Sequence, residues 1–127
     1  MHKSRLAGFI IDCRTDDLPA AADFWGSALG MAVRRLPAEE GEKYIALDDP
    51  EGRLHVEVQA VGHASRVHLD IETDDVEAEV RRLEALGANA IERIHTWCVM
   101  EAPTGQRFCV VRAKAASFDA TANRWND

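Results

Sequence analysis

Two stretches of this chain repeat one another, and no other feature limits its possible folds as strongly. FIIDCRTDDL (9–18) lies over VHLDIETDDV (67–76) at an offset of 58. Each reads as an apolar strand carrying an aspartate, Asp12 or Asp70, and closing on a Thr-Asp-Asp turn. Each then enters a predicted helix. DLPAAADFWGSALG (17–30) has Pro19 in its first turn and stops at Gly30, while DVEAEVRRLEALG (75–87) has Asp74 or Asp75 as N-cap and stops at Gly87. In the second helix Val76, Val80, Leu83 and Leu86 form an apolar stripe, with Glu77 and Arg81 placed to pair on the wet side. Phe24 and Trp25 are expected to pack the first helix on the sheet.

The ends of the two copies match as well. YIALDDPEGRLHVEV (44–58) sits over WCVMEAPTGQRFCVV (97–111) at an offset of 53, each giving a strand, an acid, a Pro-Gly turn and a second strand. A unit of strand, helix and two or three strands, written twice, predicts an α+β fold. Its two βαβββ modules would pair into a curved, partly open mixed sheet with helices outside and a cleft inside. The expected boundaries are about 7–61 and 65–112 for the modules, giving one domain over 7–112 and a C-terminal tail at 113–127. Phe118 and Trp125 give that tail the means to pack as a short helix; the alternative is a partly disordered end.

The chain has 127 residues, enough for a single core. Its 15 basic and 22 acidic residues leave a net charge of -7, with no basic run, which argues against nucleic-acid or membrane partners and suits a cytoplasmic protein. Cys13, Cys98 and Cys109 are odd in number and lack metal-knuckle spacing, so they read as reduced, mostly buried thiols. Phosphate loops, dinucleotide fingerprints and nucleophile elbows are absent from the sequence.

The strings IIDCRTDDLPAAADFWGSALG, VHLDIETDDVEAEVRRLEALGA and EAPTGQRFCVV resemble the vicinal oxygen chelate superfamily (glyoxalase, bleomycin-resistance and dioxygenase proteins), in its glyoxalase-like branch. The resemblance covers roughly 7–112. It implies a ligand site between modules, and in metal-using members four donors, commonly His or Gln, Glu, His and Glu. Carried over, it puts His68 at one donor position, Ile10 at its counterpart, and Cys109 at a glutamate position. Strand parity fills the remaining one. Leu54, Val56 and Val58 should face the helices, so His55, Glu57 and Gln59 face the other way and Glu57 takes the glutamate position.

The expected site residues are therefore His68 and Asp70 as an acid–base pair, with Asp12, His55, Gln59, Tyr44, Trp97 and Cys109 as ligand contacts. His68 and Glu57 are the residues that would hold a metal. The Ile10 position favours a cofactor-free protein; the alternative is a divalent Zn, Fe, Ni or Mn site. Asp12 and Asp70 would alternatively serve only to tie strands together. The functional expectation is a homodimeric protein that binds a small molecule and sequesters, isomerises or cleaves it. A metal-dependent lyase, isomerase or dioxygenase is the second reading, and a non-catalytic interaction module the third.

Overall fold

The computed structural model describes residues 1–126. The elements run β1 (His2–Arg14), α1 (Leu18–Leu29), β2 (Ala32–Arg35), α2 (Glu40–Lys43), β3 (Tyr44–Asp48), β4 (His55–Val61), β5 (Arg66–Thr73), α3 (Val76–Ala85), β6 (Asn89–Ile94), β7 (Trp97–Glu101), β8 (Arg107–Arg112), α4 (Phe118–Thr121) and β9 (Asn123–Trp125). The fold is α+β, and β1–α1–β2–β3–β4 and β5–α3–β6–β7–β8 are the two βαβββ modules of the repeat. The backbone divides into two compact units, Gly8–His68 and a second built from Met1–Ala7 and the chain from Leu69 onward.

In the Gly8–His68 unit the strands run in the order β2-β3-β4-β1. β4 lies parallel to β1 and antiparallel to β3. One face is apolar: Ile11, Val56, Val58, Ile45 and Leu47 are buried with Leu18 and Ala22 of α1, and Phe9, Cys13 and Trp25 pack around them. Helix α1 starts where Asp17 caps the Ala20 amide at 3.1 Å, and it ends at Gly30, whose φ of 70° glycine adopts without strain. Trp25 packs on the core as expected. Phe24 does not; it is 62% exposed, because one step along a helix turns a side chain through about 100°.

The second unit repeats the device. Its strand order is β5-β8-β7-β6, with β8 parallel to β5. Val80, Leu83, Cys98, Met100 and Val110 form its core. Asp75, rather than Asp74, caps α3 through the Ala78 amide at 3.0 Å. Leu86 lies beyond the last turn and is 67% exposed, so the apolar stripe ends at Leu83. Glu77 pairs with Arg93 of β6 at 2.5 Å instead of Arg81, a cross-element partner that sequence spacing does not reveal.

The first residues of β1 belong to this second unit. His2–Ser4 pair antiparallel with β9, and Trp125 donates to Ser4 Oγ at 2.8 Å. His2, 1% exposed, donates to the fully buried Glu79 of α3 at 2.7 Å. Arg82 grips the same carboxylate through two nitrogens at 2.8 and 2.7 Å and lies 3.9 Å from the centre of the Trp125 ring. Burial alone would raise the Glu79 pKa. Hydrogen bonds from Arg82, His2 and Ser4 outweigh it and hold the carboxyl below its ordinary range.

Candidate functional site

The face of the Gly8–His68 unit turned away from α1 follows from strand period. With Ile11, Val56 and Val58 committed to the core, Ile10, Asp12, Glu57 and Gln59 must point the other way. Parity on β4 is thus as the sequence predicts. The register sets Ile10 beside Glu57 and Asp12 beside Gln59, with Tyr44 opposite Gln59 across β3.

Asp12 is the centre of this face. It is 2% exposed, and its Oδ2 accepts from His68 Nδ1 at 2.8 Å, with Arg66 Nε at 3.6 Å. An ionised carboxylate can only accept, so a hydrogen bond to it takes the proton on His68 Nδ1. Among the described residues, Asp12 Oδ1 is buried without a hydrogen-bond partner. That is an energetically expensive state, which a ligand donor would relieve. Around this pair, Glu57 accepts from His55 Nε2 at 3.1 Å and Gln59 Nε2 donates to the Tyr44 hydroxyl at 3.0 Å. Asp12, Tyr44, His55, Glu57, Gln59 and His68 therefore form three hydrogen-bonded pairs within one unit.

The remaining predicted residues lie on the second unit. Asp70, two positions beyond His68 on β5, is 8% exposed and stands beside Cys109 of β8. Trp97, at the start of β7, packs its ring 5.7 Å from that of His95 and lines a cavity in its own unit.

Within the hairpins, Glu57 opposite Ala46 matches Cys109 opposite Val99, as the parity argument expects. Relative to the leading strand the hairpins differ. Glu57 stands beside Ile10, whereas Cys109 stands beside Asp70, the counterpart of Asp12. The second hairpin has slid by two residues, or about 7 Å, an even step that keeps every side chain on its face while changing its neighbour.

The four-donor pattern that the family resemblance implies is only partly present in these residues. Ile10 brings no donor atom to Glu57, and Cys109 brings a soft thiol where a hard carboxylate would stand. Cys13 and Cys98 are unlike activated nucleophiles. Burial raises the Cys13 pKa, assisted by the charge of Asp12 and opposed by Trp25; burial likewise raises that of Cys98, against the pull of Arg93. None of the three cysteines is in a disulfide. Sequence reasoning passed over the buried polar cluster of His2, Glu79 and Arg82, since a residue at a chain end carries no periodic signal.

Tandem βαβββ modules, each with a buried aspartate on the face away from its helix, define the class of protein. Residues 8–111 match the model of the Glyoxalase-like domain family, and the chain belongs to that family, within the vicinal oxygen chelate superfamily. Solved structures share the fold. A hypothetical protein from Bacillus halodurans is 10% identical with a TM-score of 0.64, covering 88% of this chain and 96% of its own. An NAD-dependent benzaldehyde dehydrogenase from Legionella pneumophila is 11% identical with a TM-score of 0.60, covering 84% and 99%. Methylmalonyl-CoA epimerase from Mycobacterium tuberculosis is 16% identical with a TM-score of 0.58, covering 87% and 88%. No curated protein sequence matches the chain. No helix is long and apolar enough to cross a membrane.

Proposed function

We propose that this glyoxalase-like chain binds a small organic molecule on the face carrying Asp12, Tyr44, His55, Glu57 and Gln59, and that His68 moves a proton on it. The observation that carries this reading is the 2.8 Å bond from His68 Nδ1 to Asp12. Asp12 orients the ring, and His68 takes a proton through Nε2 from carbon next to a carbonyl, then returns it to the same or the adjacent carbon. Such an isomerisation needs no oxidant. Asp12 Oδ1 and the Gln59–Tyr44 pair supply polar contacts that orient the ligand. One fold neighbour is an epimerase of a CoA thioester, which makes carbon acids a reasonable substrate class.

The test uses methylmalonyl-CoA and the hemithioacetal of methylglyoxal and glutathione in D2O. Deuterium should enter one of them, and His68→Gln should abolish the exchange. Absence of exchange together with unmoved backbone resonances at Asp12, Glu57 and His68 would contradict the proposal. The metal-dependent reading through His68 and Glu57 makes a different forecast, near-stoichiometric divalent metal that disappears in His68→Ala. We further infer a cytoplasmic homodimer from the family resemblance. Light scattering should then give twice the chain mass of 14.1 kDa.

A further inference from the structure

The C-terminal segment leaves β8 where the Ala113 amide donates to the Thr73 carbonyl at 2.9 Å, and it ends as β9 on the edge of β1. On the way it helps to enclose a cavity of about 770 Å³ in the second unit. Ala115, Phe118 and Asp119 line that cavity together with the start of α3 and Trp97 of β7. The middle of the segment, α4, is held by β1. Phe118 is 5% exposed with the Arg5 guanidinium 5.8 Å from its ring centre, and Asp119 accepts from Lys3 Nζ at 3.2 Å.

The far end is attached differently. Trp125 is the register partner of His2, its Nε1 donates to Ser4 Oγ at 2.8 Å, and its ring lies 3.9 Å from the Arg82 guanidinium carbon. His2, Ser4 and Arg82 are also the three groups that hydrogen-bond to the Glu79 carboxylate, which is fully buried. One carboxylate therefore fixes all three supports of Trp125. The titratable groups that face it are His2 from β1 and Arg82 from its own helix. β9 faces it with the neutral Trp125, while Arg124 alternates to the opposite side.

Without the charge, the two charge-assisted bonds that set the plane of the Arg82 guanidinium are lost. That group then has reason to turn to water, and the Trp125 ring loses its cationic support. A three-residue strand with a single neighbour has little else to hold it.

We infer that the C-terminal segment is a strap closing this cavity, and that the Glu79 carboxylate is its latch: loss of the charge frees β9 while the core of the second unit stays folded. The strap and latch include none of the residues assigned to proton transfer on Asp12 and His68, so the two proposals stand or fall separately.

Hydrogen exchange and 1H–15N spectra of the full chain provide the test. In Glu79→Gln at neutral pH, the β9 amides and the Trp125 indole N–H should exchange about tenfold faster, with the Val80, Met100 and Val110 amides still protected. A soluble neutral gadolinium chelate should broaden the Phe118 ring resonances in that variant and leave them sharp in the native chain. Trp125→Leu, with Glu79 and its partners in place, should open the strap in the same way. Acidifying the native chain should release the Trp125 indole below pH 4.5, ahead of the core amides, and Glu79→Gln should lack that step. Native-like β9 protection in Glu79→Gln would overturn the inference. So would loss of the Trp125 indole together with the core amides as the native chain is acidified, or Phe118 resonances that stay sharp in Trp125→Leu.

Discussion

Helices α1 and α3 are counterparts, begun by the same aspartate device at Asp17 and Asp75 and laid on the same kind of strand core. At the repeat offset, Leu18, Ala22 and Trp25 answer to Val76, Val80 and Leu83, all apolar. Ala21 answers to Glu79, and there the two part. α1 rests an alanine on its core, while α3 buries a carboxylate against His2 and Arg82. The leading strands part in the same way, with Ile10 in one copy and His68 in the other. Repetition therefore governs backbone, caps and apolar facing, whereas each ionisable contact is particular to one copy.

The largest expected effect bears on the buried carboxylate. Glu79→Ala leaves His2 and Arg82 without their shared acceptor and should cost about 3–5 kcal/mol in denaturant unfolding. Hydrogen exchange should show that loss in the second unit, with α1 little affected. Because the Glu79 pKa is depressed in the folded chain, its stabilisation is complete above its ordinary value of 4.5 and disappears as pH falls through the lowered one. Glu79→Gln should accordingly flatten the acid limb of the stability profile.

Next comes a constraint peculiar to the other unit. A Cβ on Gly8 would lie 1.9 Å from the His55 carbonyl oxygen, whereas the repeat counterpart of Gly8 is Arg66. Gly8→Ala should destabilise by about 1–3 kcal/mol through displacement of β4 from β1, read as a lowered unfolding midpoint. The smallest effect should be shared. Asp17→Ala and Asp75→Ala should each cost about 1 kcal/mol, and a marked inequality would show that the two caps are not equivalent.

Much of this was legible from the sequence, and the limits have physical causes. Two-residue alternation placed Val56 and Val58 inward and Glu57 and Gln59 outward, because burial on one face enforces parity. The slide of the second hairpin along its leading strand was hidden, since an even shift leaves the hydrophobic pattern unchanged. Helix ends misled at Leu86, and the Glu77–Arg93 pair depends on an approach of α3 and β6 that no local spacing encodes. The Asp12–His68 pair lay between those cases. Both residues stood out in the repeat as a possible pair, and the fold sets them 2.8 Å apart across 56 positions of chain.

That partnership is the central claim, and the tautomer of His68 tests it most directly. Long-range 1H–15N spectra of the native chain, at a pH where the ring is neutral, should show His68 protonated on Nδ1 and unprotonated on Nε2. Asp12→Asn should abolish that preference. A native His68 found protonated on Nε2, the form usual for free histidine, would contradict the account.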